Sequence, residues 1–270
     1  MEKQKNFMNK SKEKILKQYR SITGKSFLKL NEFLLDTFPN SENSLSIYFN
    51  HIKPELDKTH LLLDAGCGNG THSRNTNART FGIDIDFNKI KEAQENQKND
   101  IVRSSGRPDD RTKSFYFLGS CEYVPFKKNT FDTILCHSVV EHLKNPNQVF
   151  KEFSRVLKKK GKLIILTSNI LNPFYLANKI LFLSIRKKLS AILTRSINRT
   201  PTYYKANYVS ALDHQLKQYN FLRLKLIYGI DVPICLKNPY IYLWKYLNRF
   251  LLVKPLNFLL PIFCAIYIKK

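Results

Sequence analysis

Acidic residues are scarce in this chain, and it lacks closely paired cysteines and long apolar runs. Its 270 residues include 21 Asp and Glu against 45 Lys and Arg, a formal net charge of +24. None of the five cysteines forms a Cys-x-x-Cys pair, which argues against a zinc site or disulfide framework and favours a reducing, cytoplasmic compartment.

The charged start lacks the apolar core of a secretory signal. The longest uncharged run of the tail, 255–268, has 14 residues. A transmembrane helix needs about 20, so we expect no membrane span.

Positive charge is concentrated in the last hundred residues. Residues 171–270 hold 16 basic and two acidic side chains, a larger excess of positive charge than in residues 1–60 or 61–170. Such an excess attracts nucleic acid, an anionic membrane surface or phosphorylated substrates. A lysine-rich composition with solvated side chains is the alternative explanation, so the charge by itself does not select a partner.

The middle of the chain alternates between strand-like and helix-like segments. Apolar runs predict strands at 60–65, 80–85, 114–118, 131–136 and 162–167, and again at 222–230 and 261–268. Apolar residues at helical spacing predict helices at 88–97, 145–157 and 208–219, and Gly161 is expected to end the second helical region. Alternating strands and helices predict an α/β fold with a parallel sheet covered on both faces.

The sequence predicts three regions. Residues 1–57 form an amphipathic helical N-terminal extension, and 58–170 form a ligand-binding core. Residues 171–270 combine a basic, apolar cap with the last two strands of the core sheet. The cap includes the cluster Arg186-Lys187-Lys188 and an aromatic-rich segment around Trp244.

A glycine-rich loop follows the first predicted strand, in the run Leu-Leu-Leu-Asp-Ala-Gly-Cys-Gly-Asn-Gly at 61–70. Glycines allow a sharp turn and a close approach of the backbone to a ligand. A short helix is expected to start after the loop and to offer free N–H groups to a pyrophosphate or a carboxylate. The spacing G-x-G-x-G differs from the dinucleotide fingerprint G-x-G-x-x-G. Asp64 would repel a pyrophosphate but attract an ammonium group, which favours an amino acid ligand.

A second acidic residue, Asp84, ends the next predicted strand. Its carboxylate can accept hydrogen bonds from both hydroxyls of a ribose. A ligand that joins an amino acid to a nucleoside is S-adenosylmethionine, and we predict it as the cofactor.

Three stretches of the chain resemble the class I S-adenosylmethionine-dependent methyltransferases, especially the type 11 group. They are LLLDAGCGNGT at 61–71, FGIDID at 81–86, and the run from GSCEYVPF at 119–126 to GKLII at 161–165. The resemblance covers about 58–168. It implies a Rossmann-like doubly wound sheet of about seven strands, mostly parallel with the last antiparallel, carrying a helical N-terminal extension and helical cap insertions.

The resemblance also implies a set of cofactor-binding residues: Asp64, Gly66, Cys67, Gly68, Gly70, Asp84, Ile85, Ser120, Cys121, Glu122 and His137. Within this set, Asp64, Gly66 and Gly68 would hold the methionine part and Asp84 the ribose. Ile85 would lie against the adenine, with Cys121 and Glu122 at its far edge. Ser120 stands where the family usually has Asp, and Lys159-Lys160-Gly161 replaces a Pro-Gly-Gly turn.

Three groups of reactive side chains have structural alternatives. His137 is the candidate general base, although a lone histidine is more often a satisfied structural donor. Cys67 and Cys121 are interpreted as small residues lining the pocket rather than as nucleophiles. The pair Glu141-His142 matches a Glu-His pair of the family and is interpreted as capping or pinning a helix, with a chemical role as the alternative. Tyr203, Tyr204 and Tyr208 face either the cleft or the core.

The predicted activity is methyl transfer to a small-molecule, saccharide or lipid-linked acceptor. We expect 171–260 to form a lid that contacts an anionic membrane surface peripherally, at its inner face, because its leucines and isoleucines exceed what base stacking needs. RNA methylation and a catalytically silent, partner-binding protein are the alternatives. No Asn-Pro-Pro-aromatic motif is present, which argues against methylation of a base nitrogen. The sequence does not indicate the oligomeric state.

Overall fold

The computed structural model describes residues 41–73, 76–103, 114–180, 201–231 and 238–270. These residues divide into two compact units. One unit takes its described residues from 1–49, 169–200 and 228–263, and the other from 50–168, 201–227 and 264–270. The predicted helices before residue 41 and the cluster Arg186-Lys187-Lys188 lie outside the described residues, and the predicted boundaries at 57 and 170 stay predictions.

The described residues form a seven-stranded sheet in the order β3-β2-β1-β4-β5-β7-β6. The strands are β1 (Leu61–Ala65), β2 (Arg79–Asp84), β3 (Ser114–Leu118), β4 (Phe131–His137), β5 (Leu157–Ser168), β6 (Phe221–Gly229) and β7 (Ile262–Lys269). Strands β1 to β5 pair in parallel, and the last strand is antiparallel. This arrangement confirms the predicted Rossmann-like fold.

Helices precede the first strand, separate β2 from β3 and β4 from β5, and continue beyond the fifth strand. They are α1 (Ser44–Ile47), α2 (Lys53–Leu56), α3 (Phe87–Arg103), α4 (Pro146–Val156), α5 (Pro173–Ile180), α6 (Val209–Lys217) and α7 (Asn238–Leu251). A π-helical segment, Tyr48–Ile52, separates α1 from α2, and 3-10 turns lie at Val140–His142 and Leu256–Leu259. Among the described residues, no helix is long and apolar enough to cross a bilayer.

Strand β1 lies at the centre of the parallel part of the sheet. Leu62 and Leu63 are fully buried, as expected for a strand with neighbours on both edges and helices on both faces. Asp64 pairs in register with Gly82 of β2 and with Leu135 of β4. The chain runs outward from β1 to β3 and then crosses to β4, so the strand order reverses at β1. Ligands in open α/β sheets bind at such a point, outside the carboxyl ends of the strands.

The connection between the glycine loop and β2 differs from the prediction. Its described residues form turns and bends rather than a helix, and Thr76 Oγ1 donates to the carbonyl of Ser73 at 3.0 Å. Only eight residues return the chain from Gly70 to Arg79, which leaves little length for a helix. The described residues of this connection therefore provide no helix N-terminus for binding a ligand.

Two predicted boundaries were also wrong. Helix α3 continues to Arg103 rather than ending near residue 97. Gly161 does not end a helix, because α4 ends at Val156 and Gly161 lies inside β5. Phe131 pairs with Leu157 and Thr133 pairs with Lys162, so β5 carries extra residues at this point. Lys160 adopts a positive φ of 60° there, and the expected turn is therefore a bulge within the strand.

Candidate functional site

The glycine loop turns sharply at the carboxyl end of β1. Gly66, Gly68 and Gly70 have φ angles of 75°, 52° and 76°, a region that side chains with a Cβ rarely adopt. The N–H groups of Gly66 and Cys67 both donate to the carbonyl of Ile83, at 2.8 and 3.0 Å. The loop is thereby held against the end of β2.

The three glycines are required for different reasons. A Cβ at Gly66 would collide with the side chain of Val139, and one at Gly70 would lie 2.6 Å from Tyr116 Oη. A Cβ at Gly68 would have no atom within 4 Å. Packing within the protein therefore demands glycine at the first and third positions. Gly68 borders open space, where a ligand can approach the backbone.

Asp84 is held in a defined orientation beside this open space. Its Oδ2 accepts the N–H of Gly68 at 2.8 Å, and its Oδ1 accepts the N–H of Asp86 at 2.9 Å. Each carboxylate oxygen has two lone pairs, so both oxygens retain capacity for a further donor. The side chain is partly exposed. Asp84 can therefore accept hydrogen bonds from a ligand without releasing the loop.

Asp64 is buried below the loop, with 2% of its surface exposed. Ser73 Oγ donates a hydrogen bond to its Oδ2. Burial raises the pKa of Asp64 to about 7; the Ser73 hydrogen bond lowers this pKa, and the charge of Asp84 raises it further. A cationic group placed nearby would favour the ionised form of this carboxyl.

Two histidines stack near the carboxyl ends of β1 and β4. The rings of His72 and His137 have centroids 3.9 Å apart and planes 20° apart. Ser138 Oγ lies 3.3 Å from His137 Nδ1, and Ser138 has a positive φ of 56°. Burial lowers the pKa of His72 to about 4. Burial, and then His72, lower the pKa of His137 well below its usual value. Both rings are neutral at pH 7, so His137 can accept a proton but only as a weak base.

The turn after β3 lies close to the glycine loop. Ser120 Oγ accepts the N–H of Glu122 and its carbonyl accepts the N–H of Tyr123, both at 3.1 Å. Gln148 of α4 donates to the carbonyl of Glu122 at 3.0 Å, which anchors the turn. Cys121 follows Ser120, and at the start of the turn the N–H of Gly119 donates to the carbonyl of Asp84 at 2.9 Å. The Ser120 hydroxyl thus stabilises the turn itself.

The two cysteines of the site are protonated at neutral pH. Burial raises the pKa of the Cys121 thiol to about 12, and the charges of Asp84 and Asp64 add to the shift. Burial also raises the pKa of the Cys67 thiol well above its usual value, and the charges of Asp64 and then Asp84 raise it further. A thiolate is the nucleophilic form of cysteine, so these thiols act as small pocket residues.

Exposed apolar side chains follow the carboxyl ends of β2 and β3. Ile85 is 73% exposed, Leu118 58% and Tyr123 73%. Large apolar groups left in solvent at the end of a parallel sheet are suited to covering a flat apolar ligand. This observation agrees with the placement of Ile85 beside an adenine, which stays a prediction.

Glu141 and His142 connect the 3-10 turn after β4 to other parts of the chain. Glu141 is buried and accepts hydrogen bonds from Thr167 Oγ1 at 2.7 Å and Ser168 Oγ at 3.2 Å. Asn207 is fully buried and donates to Thr167 Oγ1 at 2.7 Å. His142 Nδ1 lies 2.7 Å from the carbonyl of Pro201. These contacts give the pair a structural role.

The structure brings most of the predicted residues to one end of the sheet. The loop 66–70 and the turn that begins at Gly119 are both hydrogen-bonded to Asp84, and His137 lies at the end of the adjacent β4. Sequence reasoning missed His72, which stands two residues after Gly70 and could have been found by its place next to the loop. In the ranges that the structure describes, no group of three or more His, Cys, Asp and Glu residues could hold a metal ion.

Residues 63–165 match the model of a family described as "Methyltransferase domain". An uncharacterized protein of Methanocaldococcus jannaschii is 33% identical over 118 residues, which cover 43% of this chain and 44% of that protein. A ubiquinone biosynthesis O-methyltransferase of Pelagibacter ubique is 34% identical over 111 residues, 40% of this chain and 42% of the relative. The aligned part of the chain thus spans less than half the length of these curated relatives.

Solved structures show the same fold. The geranyl diphosphate C-methyltransferase of Streptomyces coelicolor superimposes with a TM-score of 0.54 at 14% identity, over 84% of this chain and 80% of that chain. Segment 63–165 is therefore a methyltransferase domain of the type 11 kind, as the resemblance implied.

Proposed function

We propose that this methyltransferase domain makes the chain an S-adenosylmethionine-dependent enzyme that methylates a small-molecule, saccharide or lipid-linked acceptor. One observation carries the proposal: the buried carboxyl of Asp64 directly precedes the glycine loop, and the oriented carboxylate of Asp84 accepts the N–H of Gly68, where the loop borders open space. A positive group and a pair of hydroxyls, both parts of one ligand, would satisfy these two acids.

The residues present fit each part of the cofactor. The ammonium of the methionine part would offset the buried charge of Asp64. The open space at Gly68 would let the ligand approach the backbone of the loop. Asp84 would accept the ribose hydroxyls through its remaining lone pairs. Ile85 would cover the adenine, with Leu118 and Tyr123 as further apolar neighbours. Ser120 would contribute through the backbone of its turn and through its hydroxyl, which accepts the N–H of Glu122 but retains a lone pair and its own O–H.

The sulfonium of S-adenosylmethionine supplies an activated methyl group when it is bound. The protein would position the two reactants, exclude water and supply a proton acceptor. Positioning of two reactants contributes about 7–11 kcal/mol in favourable intramolecular models. His137 is neutral at pH 7; in the tautomer in which Nδ1–H donates to Ser138 Oγ, its Nε2 would take a proton from an acceptor hydroxyl. His72 would position His137 through the stacked rings.

The named activity of one relative supports a small-molecule acceptor, since that protein is an O-methyltransferase of ubiquinone biosynthesis. Incubation of a cell extract with the protein and methyl-labelled cofactor, followed by mass spectrometry, should place the label in small molecules, saccharides or lipids. Label found in RNA instead would contradict the acceptor class. Cofactor binding with no label transferred would identify a silent binding protein.

Cofactor binding is tested at Asp84. We expect Asp84→Ala to weaken binding of S-adenosylhomocysteine by about 1.5–3 kcal/mol, because a charged acceptor is lost. Titration calorimetry measures the change. Glu95→Ala is the matched control, since it removes an equal charge from an exposed position on the neighbouring helix α3. Unchanged affinity in a folded Asp84→Ala protein would remove this residue from the site.

A further inference from the structure

One side of α7 packs into the interior of its unit. Trp244 and Leu251 are 3% and 2% exposed, and they form a core cluster with Ile230 and Leu260. Leu247 packs against the same cluster. This side accounts for the stability of the helix in the fold.

The opposite side of α7 is also apolar. Tyr246 is 68% exposed, Phe250 64% and Val253, just beyond the helix end, 59%. These residues are spaced by four and three positions, so successive members lie about one helical turn apart. Exposed Arg249 falls within the same row. We refer to Tyr246, Arg249, Phe250 and Val253 as the outward stripe.

An aromatic outward stripe is unusual for a helix that already buries its other side. Helices on the surface of a globular protein carry polar residues on the side away from the core. Single exposed apolar residues are common, but contiguous ones mark a surface that contacts a partner. A lysine-rich composition with solvated side chains does not explain why aromatic rings lie on the exposed side of this helix.

The charge around the stripe indicates what the partner is. After Asp231 the sequence has no further Asp or Glu, while three basic residues, Lys245, Arg249 and Lys254, lie on α7 or just beyond its end. Arg249 lies within the stripe, and exposed Lys254 follows Val253 directly. Apolar rings beside cations, with no acidic side chain nearby in sequence, complement a surface that is anionic outside and apolar beneath.

We propose that the outward stripe docks the protein peripherally on an anionic lipid bilayer. Tyrosine and phenylalanine rings suit the headgroup region, and Arg249 and Lys254 would contact anionic headgroups. RNA is less well matched, because the exposed aliphatic side chain of Val253 adds apolar surface that base stacking does not use. Docking does not depend on the proposed methyl transfer, but it would hold the protein where lipid-linked acceptors occur.

The first experiment compares two kinds of vesicle. The full chain is sedimented with vesicles of phosphatidylcholine alone and with vesicles of equal parts phosphatidylcholine and phosphatidylglycerol. We expect binding to the anionic vesicles, weak binding to the neutral ones, and release at high salt as the charges are screened. Equal binding to both, or binding to neither, would overturn the proposal.

Charge reversal then locates the contact. We expect Arg249→Glu with Lys254→Glu to lower the partition coefficient onto anionic vesicles at least about twentyfold, since each basic residue near the surface contributes roughly fivefold. The matched control, Lys127→Glu with Lys128→Glu, changes the net charge equally at exposed positions elsewhere. Equal losses in the two variants would show that total charge, rather than the stripe, is responsible.

Removal of the rings tests the apolar contribution. We expect Tyr246→Ser with Phe250→Ser to weaken vesicle binding roughly tenfold. Leu222→Ser with Leu224→Ser is the control, because these leucines of β6 are 49% and 53% exposed. Calorimetry with S-adenosylhomocysteine should give the same affinity in all four variants, which separates failure of docking from failure of the proposed function. Salt-sensitive binding to RNA that the stripe variants abolish, or self-association through the stripe without vesicle binding, would overturn the proposal.

Discussion

Two regions of the molecule differ from the usual distribution of polar and apolar side chains. The end of the sheet around Asp64 buries a polar group, and the outward side of α7 exposes apolar ones. The first places a carboxyl inside the protein, where 2% of its surface is exposed. The second leaves two aromatic rings more than 60% exposed on a helix that has a separate buried side. A buried acid and a contiguous exposed apolar row are both unfavourable in an isolated chain. Each is therefore explained best by something that binds there.

The two regions nevertheless impose different conditions on a ligand. Around Asp64 the polar groups are already oriented by the fold, so a ligand must match their positions. Along α7 the rings lie on one helical row and can enter any apolar layer of sufficient depth. The first region would select a defined molecule, whereas the second would select a kind of surface. Substitutions should therefore affect the two regions in different ways.

The largest expected contrast lies within α7 itself. Trp244→Ala should lower the free energy of unfolding by about 3–5 kcal/mol, because it leaves a cavity in the core cluster. Phe250→Ala should change it by no more than about 0.5 kcal/mol, since that ring lies in solvent. Chemical denaturation of both variants measures the difference. A large loss in Phe250→Ala would mean that the outward side is covered within the protein.

The buried acid should make stability depend on pH. The folded pKa of Asp64 is raised to about 7, above its unfolded value of 3.8. Below about pH 4 the carboxyl is protonated in both states and contributes no difference. As the pH rises toward 7 only the unfolded state loses the proton, so stability falls by up to about 4 kcal/mol relative to Asp64→Asn. Denaturation curves of both proteins across this range measure the difference, and parallel curves would contradict it.

The same group should couple ligand binding to proton release. An ammonium bound near Asp64 lowers its pKa, so binding of S-adenosylhomocysteine at pH 6 should release up to about one proton. Calorimetry in buffers of different ionisation enthalpy counts that proton. Asp64→Asn should abolish the release, and its persistence would assign the proton to another group.

The smallest expected effect concerns the stacked histidines. His72→Phe keeps an aromatic ring against His137 but removes the neighbouring imidazole that lowers its pKa. We expect the pKa of His137 to rise, so that protonation of its ring occurs at higher pH than in the unaltered protein. NMR titration of the ring protons follows this directly, without knowledge of the acceptor. The acid limb of a pH–rate profile should move in the same direction. A pKa that stays unchanged would reduce the role of His72 to packing.

Many of the strands and helices could be predicted because their patterns are local. Leu61, Leu62 and Leu63 predict a buried strand from three neighbouring residues, and the next glycines predict a turn. The helix Pro146–Val156 follows from apolar residues three and four positions apart. Gly161 was misplaced because a glycine after an apolar helix usually ends it. Here pairing with β4 extends the strand back to Leu157 and absorbs the surplus residues in a bulge.

The sequence by itself determined the α/β alternation, the loop with Asp64 before it, and Asp84 at the end of the next strand. These features depend on residues a few positions apart, and their spacing is visible in the chain. Only the tertiary structure decided that Gly66 meets Val139, that His72 stacks on His137, and that Glu141 binds Thr167 and Ser168. It also decided which side of α7 faces solvent, because both sides are apolar. Such contacts join residues dozens of positions apart or depend on what packs against a helix, and strand order and packing determine them rather than local periodicity.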